Sequence, residues 1–339
     1  MDRKIPDADL RAQIRHAIDT KTKPVGSLGR VETLAAQIAE IQGTVTPYLD
    51  GCELTIFAAD HGVAADGVSA YPQAVTRQMV ENFLAGGAAS TVFAATFGVP
   101  VRVVDAGVAG APIENPGLLS RRIAPGTASF LSGPAMSAEQ AERALSEGRR
   151  IGNGPVHLAA AFGEMGIGNT ASASLLAHKI AGLPLESIVG RGTGLDDKGL
   201  ERKREILARA AARTPERLAA SDALCEYGGF EIAMMAGAMR GAAEAGRMVL
   251  VDGFIASAAA LLAQSIDPAV RRNFVFAHAS AEQGHRAILD FLEADPVLSL
   301  DMRLGEGTGA LLAWPILRAA TAMLTEMASF ESAGVSGPA

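Results

Sequence analysis

"PVHLAAAFGEMGIGNT", Pro155 to Thr170, decides the fold. A short apolar run meets a carboxylate at Glu164 and bends through Gly166 and Gly168, after which an Ala-rich stretch, Ala171 to Ala181, begins. A buried strand feeding a glycine loop and then a helix accounts for that texture. Four other stretches share the form: "ELTIFAADHG" (Glu53 to Gly62), "PVRVVDAGV" (Pro100 to Val108), "RMVLVDGF" (Arg247 to Phe254) and "NFVFAHASAEQG" (Asn273 to Gly284). Between them lie helical stretches at Ala74 to Ala95, Ser137 to Arg150 and Ile232 to Ala245. Strands alternating with helices imply an α/β protein whose parallel sheet is covered on both faces. Such sheets carry ligands at the carboxyl ends of their strands.

Upstream the pattern is helical only. Leu10, Ile14 and Ile18 form one series, and Leu28, Val31, Leu34, Ile38 and Ile41 a second. Gaps of three and four put each series on one face of a helix, with Pro24, Gly26 and Gly29 making the corner between them.

With 339 residues, 49% of them hydrophobic and 20% charged, the chain can bury one large domain or two ordinary ones. A net charge of −7 argues against a nucleic-acid partner or an anionic membrane surface, and so toward a small ligand. Cys52 and Cys225 are far apart, with no CxxC or His-Cys cluster, and read as core thiols. The opening "MDRKIPDADLR" is charged where a secretory signal would be apolar. Glu231, Arg240, Glu244, Arg247 and Asp252 keep interrupting the hydrophobic segments, so no membrane span is expected. A soluble cytoplasmic protein is the expectation.

The 37 glycines, about 11% of residues where roughly 7% is usual, gather after the strands, where they let backbone approach a ligand. "GEMGIGNTAS", Gly163 to Ser172, sits between strand and helix with Asn169 or Thr170 as candidate caps. It reads either as a phosphate seat at a helix N-terminus or as a tight turn without a ligand. It is neither a Walker A loop nor a full GxGxxG. "VGRGTGLDDKGLERKR", Val189 to Arg204, offers Lys198, Arg202, Lys203 and Arg204 either to a phosphate or to a solvated helix face. In "LGEGTGALLAWPI", Leu304 to Ile316, Glu306 stands among Gly305, Gly307 and Gly309. It could accept a proton if burial raises its pKa, or cap the helix beginning near Ala310.

Asp60 and His61 end a strand, but no GxSxG, HExxH or third ligand accompanies them, and they read as structural. His278 and His285 are the nearest approach to a histidine pair, and a metal mechanism is not expected.

Six stretches taken together are similar to one family. They are "KPVGSLGRVETLAAQIAEIQG" (from Lys23), "AADHGVAADGVSAYPQAVTRQMVENFLAGGAA" (from Ala58), "GEMGIGNT", "LVDGF" (from Leu250), "HASAEQG" (from His278) and "MRLGEGTGALLA" (from Met302). In this order, over nearly the full chain, they resemble nicotinate-nucleotide–dimethylbenzimidazole phosphoribosyltransferase. The resemblance implies transfer of 5-phosphoribosyl from nicotinate mononucleotide to 5,6-dimethylbenzimidazole, with inversion at C1′ and no cofactor. Glu306 would take the azole proton. Gly166, Gly168, Asn169, Thr170, Gly192, Thr193, Gly194, Lys203 and Ser280 would bind phosphate and ribose. Tyr71, Met79 and Glu164 would line the base pocket, and Asp252 would either orient substrate or hold its own loop. Of these residues Lys203 is the only cation. The resemblance further implies a Rossmann-like sheet domain (50–280), a smaller helical domain from both chain ends (1–49 and 281–339), and a homodimer. Two competing classes are a non-catalytic nucleotide or azole sensor using the same pocket, which would bind nicotinate mononucleotide without releasing nicotinate, and a dinucleotide-dependent oxidoreductase, suggested only by glycine after strands. The second would need a further glycine after Gly168 at fingerprint spacing, which is missing.

Overall fold

The structure, a computed structural model, describes residues 8–154, 157–192 and 194–336. Six parallel strands form the main sheet: β1 (Cys52–Ala59), β2 (Val101–Gly107), β3 (Leu118–Ser120), β4 (Ala159–Met165), β5 (Met248–Val251) and β6 (Phe274–Phe276). Their spatial order is β3-β2-β1-β4-β5-β6. The chain thus runs outward from β1 in one direction, returns, and runs outward again from β4. Between β1 and β4 lies the switch point where such sheets leave a crevice at their carboxyl ends. There Phe57 is paired with Glu164 and Ala58 with Met165. A two-stranded parallel ladder, β7 (His278–Ala279) and β8 (Leu298–Ser299), extends the β6 end.

β1, β4, β5 and β6 are buried on both faces, with side chains alternating between two cores. Phe57, Phe162, Val251 and Phe276 point into one core, and Ile56, Ala161, Leu250 and Val275 into the other. The first core is roofed by α5 (Ala138–Gly152), α6 (Asn169–Ala181), α9 (Ala220–Tyr227), α10 (Phe230–Glu244), α11 (Phe254–Ile266) and α12 (His285–Phe291). α10 is apolar almost all round and is correspondingly enclosed. It touches α5 through glycines: a Cβ on Gly148 would stand 1.8 Å from the Met234 carbonyl oxygen.

The second core is closed by α1 (Ala8–Asp19), α2 (Arg30–Gln42), α3 (Ala74–Leu84), α4 (Ala89–Thr96) and α13 (Thr308–Glu326). The two chain ends meet: Lys21 bridges antiparallel to Ser329, and its Nζ donates to the Met327 carbonyl at 2.6 Å. These terminal helices share one continuous core with the sheet face. A satellite cluster around Phe130, Leu207 and Tyr227 lies under α8 (Asp197–Ala211), which follows the short α7 (Leu185–Ile188); α14 (Phe330–Ala333) completes the helices.

All five strands expected from the sequence form. The stretch Ala74 to Ala95 is two helices, because Gly86 adopts a φ of 78° and turns the chain between them. Among the described residues no helix is long and apolar enough to cross a membrane.

Candidate active site

A cavity of about 400 Å³ opens at the carboxyl ends of β4 and β5. The β4 end supplies Glu164 and Gly166, the loop after β5 supplies Asp252, and α3 supplies Met79. The segment Arg303 to Glu306 also lines it.

Glu306 itself has a φ of 61°, between Gly305 at 88° and Gly307 at 81°. The flanking glycines take this conformation freely, but Glu306, the non-glycine of the three, is disfavoured in it by roughly 1–2 kcal/mol and needs support. Asp252 supplies that support. Its Oδ2 accepts from the Gly307 N–H at 3.2 Å, and its Oδ1 accepts from Gly309 N–H at 2.7 Å and Ala310 N–H at 3.1 Å. Asp252 therefore holds the 307–310 segment rather than its own loop, and it also lines the cavity. The helix-capping alternative for Glu306 is overturned. α13 begins at Thr308 with Gly307 as N-cap, and the carboxylate serving its first turn belongs to Asp252.

The Glu306 carboxylate is buried, and its Oε2 accepts from Ser90 Oγ at 3.2 Å. Burial pushes its pKa above the ordinary carboxylate range; the hydroxyl and backbone N–H of Ser90 oppose that shift, and the Asp252 charge reinforces it. A carboxylate so placed can receive a proton near neutral pH.

Glu164 stands next to it. Its Oε1 lies 3.5 Å from the Glu306 N–H, and its Oε2 accepts a hydrogen bond from the Asn169 side chain. Burial, then the charges of Glu231 and Asp252, push Glu164 up to about 8, so it is mostly protonated at neutral pH.

The turn after β4 packs tightly: a Cβ on Gly166 would lie 2.5 Å from the Ala59 carbonyl oxygen, and the Ile167 N–H donates to Thr76 Oγ1 at 3.1 Å. Gly168, at φ 99°, is the N-cap of α6. Neither Asn169 nor Thr170 caps that helix; both already lie within it, and their side chains are turned to Glu164 and Lys203. Lys203 is buried, with Nζ donating to Thr170 Oγ1 at 2.8 Å and to the Gly190 carbonyl at 3.1 Å. Burial lowers its pKa to about 8, against the opposing pull of Glu282. Lys198 and Arg202 on the same helix are exposed, as a solvated face requires.

The structure thus gathers Tyr71, Met79, Glu164, Gly166, Asn169, Thr170, Gly192, Asp252, Ser280 and Glu306 around one cavity. Gly168, Gly194 and Lys203 lie outside its wall, Lys203 directly behind Thr170. Thr193 falls outside the described residues. Sequence reasoning missed Arg303 and Glu282, both on the wall, and Ser90 behind it. Arg303 adds a second cation, with Nη1 donating to the Gly192 carbonyl at 3.4 Å. Its place three residues before Glu306, inside the "MRLGEGTGALLA" stretch, was the available signal.

Of the histidines, His61 and His285 are hydrogen-bonded within the fold, whereas His278 is buried with neither ring nitrogen hydrogen-bonded and its Nε2 3.7 Å from Asp252 Oδ1. His61 Nε2 is 2.6 Å from Glu231 Oε1 and its Nδ1 is 2.9 Å from Ser172 Oγ, all buried. His285 Nδ1 accepts from the Ser280 N–H at 2.8 Å, which leaves Nε2–H to donate to Ser257 Oγ at 2.9 Å. That is the neutral ring, and burial lowers its pKa to about 3.

A family model described as phosphoribosyltransferase matches residues 4–335. A Cupriavidus taiwanensis protein named nicotinate-nucleotide–dimethylbenzimidazole phosphoribosyltransferase is 54% identical over 340 residues, covering 98% of each chain. The crystal structure of CobT from Thermus thermophilus superposes with a TM-score of 0.93 at 47% identity, covering 97% of this chain and all of that one. A second crystal structure from the same organism, named for the nicotinate-nucleotide–dimethylbenzimidazole enzyme, gives 0.92 at 46% identity, covering 98% of this chain and all of that one. In sequence along nearly its whole length, and in fold, the chain belongs to the phosphoribosyltransferase family.

Proposed function

We propose that the protein transfers the 5-phosphoribosyl group of nicotinate mononucleotide to 5,6-dimethylbenzimidazole. The products are nicotinate and α-ribazole 5′-phosphate, with C1′ inverted from β to α, a step in assembling the lower-ligand nucleotide of cobamides. The observation that carries the reading is Glu306: a buried carboxylate of raised pKa on the wall of a cavity that Met79 and Tyr71 also line.

The chemistry asks for one base. The pyridinium of nicotinate mononucleotide becomes a neutral ring as its bond to C1′ breaks, so the leaving group needs no acid. The incoming azole attacks C1′ through one ring nitrogen, and the proton on its other nitrogen passes to Glu306, which prevents a cation from accumulating. Holding both partners in one cavity makes the displacement effectively intramolecular. Tyr71 and Met79 give the flat base apolar surface. Gly166, Asn169, Thr170, Gly192, Thr193 and Ser280 are assigned to phosphate and ribose, with Gly168 and Gly194 shaping their loops and Lys203 acting through Thr170. Glu164, protonated at neutral pH, orients the azole or the ribose hydroxyls.

Two broader readings accompany this one. The protein works as a homodimer of a sheet domain (50–280) and a helical domain (1–49 and 281–339). Its two unpaired cysteines accord with the reducing cytoplasm. The test is incubation with both substrates: free nicotinate and α-ribazole 5′-phosphate are expected in equal amounts. Binding of the mononucleotide without release of nicotinate would reject the transferase reading.

A further inference from the structure

The first turn of α4 has no side-chain cap of its own. The residue before it is Ala88, whose side chain carries no oxygen. What the turn lacks arrives from 216 positions along the chain, where Glu306 Oε2 accepts from Ser90 Oγ at 3.2 Å. The Ser90 backbone N–H also bonds this carboxylate. Ser90 is fully buried and is no part of the cavity wall, so it stands behind Glu306 with respect to a bound substrate.

We propose that Ser90 is a positioning residue for Glu306: its hydroxyl and its backbone N–H, at the start of α4, fix the carboxylate at the cavity wall in its ionised form. The inference rests on Glu306 being the proton acceptor. Its logic is a balance of charges. Around Glu306 stand Glu164 from β4 and Asp252 after β5, with His278 beside Asp252, while Glu282 and Arg303 share the cavity wall. Desolvation and the Asp252 charge both favour the protonated acid, which could accept nothing. Two donors from one residue and the positive end of a helix favour the carboxylate instead. Tying down Oε2 also fixes the rotamer of a side chain whose backbone is already held by Asp252.

The test is the pH dependence of kcat for the full-length protein and for Ser90→Ala, Ser90→Cys and Glu306→Gln, with both substrates saturating and mononucleotide affinity measured by calorimetry. Removing a hydrogen bond to the charged form should move the acidic limb of kcat upward by roughly one pH unit in Ser90→Ala. Ser90→Cys, with its weaker donor, should move it less, and mononucleotide affinity should stay within about twofold of wild type in both. A fall in kcat at every pH with the limb unmoved would mark a structural role only and overturn the proposal. Should Ser90→Ala fail to fold, Ser90→Cys decides alone, and an unmoved limb overturns the proposal there too. Glu306→Gln separates the two claims. If it is inactive while the Ser90 limbs stay put, only the role of Ser90 falls; if it turns over normally, the base assignment falls and takes Ser90 with it.

Discussion

Gly163 lies directly against the peptide that joins Glu306 to Gly307. A Cβ on Gly163 would stand 2.4 Å from the Glu306 carbonyl carbon, 2.5 Å from its oxygen and 2.6 Å from Gly307 N. All three are backbone atoms and none can swing away. Gly163→Ala should therefore push the 305–307 segment off β4 at a stability cost of about 1–3 kcal/mol. Steady-state kinetics should show kcat down more than tenfold and KM for the mononucleotide changed less than threefold. An unchanged kcat would mean that the contact does not place Glu306.

Asp252 holds the same segment from the other side, and its removal should unfold the protein more easily. Asp252→Ala leaves the N–H groups of Gly307, Gly309 and Ala310 without their acceptor, at about 1–3 kcal/mol for each group left buried and unpaired. Urea denaturation should register a loss of about 3 kcal/mol or more. Asp252→Asn, which keeps one oxygen acceptor, should fall between that variant and wild type.

Glu164 makes stability depend on pH in an uncommon direction for a carboxyl group. Its folded-state pKa lies near 8, far above the ordinary carboxylate value, so between the two the folded protein binds more protons than the unfolded chain. Its stabilising contribution is fully present below the ordinary value and disappears as pH rises through about 8. His285 acts in a lower window: buried neutral with a pKa near 3, it costs stability as pH falls below its ordinary value of 6.5. Between pH 6.5 and 8 the Glu164 effect is free of the His285 effect. Thermal denaturation over that window should show stability falling in wild type and a flatter profile in Glu164→Gln; parallel profiles would refute a protonated Glu164.

Lys203 is assigned to substrate binding rather than to the chemical step. Lys203→Met removes the donor to Thr170 Oγ1 and the cation behind the turn after β4. Mononucleotide affinity, read by calorimetry, should weaken about tenfold or more, with kcat at saturation changed far less. The opposite split would move Lys203 into the chemistry.

Much of this molecule is legible in its sequence because the strands are buried on both faces and break cleanly into glycine loops. β3, three residues at the sheet edge, gives no such run and escapes notice. Lys203 looks like one charge among several in "DDKGLERKR", yet Leu200, Lys203, Leu207 and Ala210 fall at helical spacing on the buried face of α8. That spacing separates it from Lys198 and Arg202. Tyr71 and Met79 from one stretch do converge with Glu164 and Glu306 on one cavity, although the four come from three different segments. Ser90 carries no local mark at all. It sits in a run of small residues, and its meaning comes from a carboxylate that only the fold brings to it.

The most direct test of the account is Glu306→Gln, assayed for nicotinate release and α-ribazole 5′-phosphate formation alongside mononucleotide affinity. The amide keeps the size and the Ser90 contact but cannot take a proton. Turnover should fall at least about a hundredfold while affinity stays within a few-fold of wild type. Near-normal turnover in that variant would contradict the account at its centre.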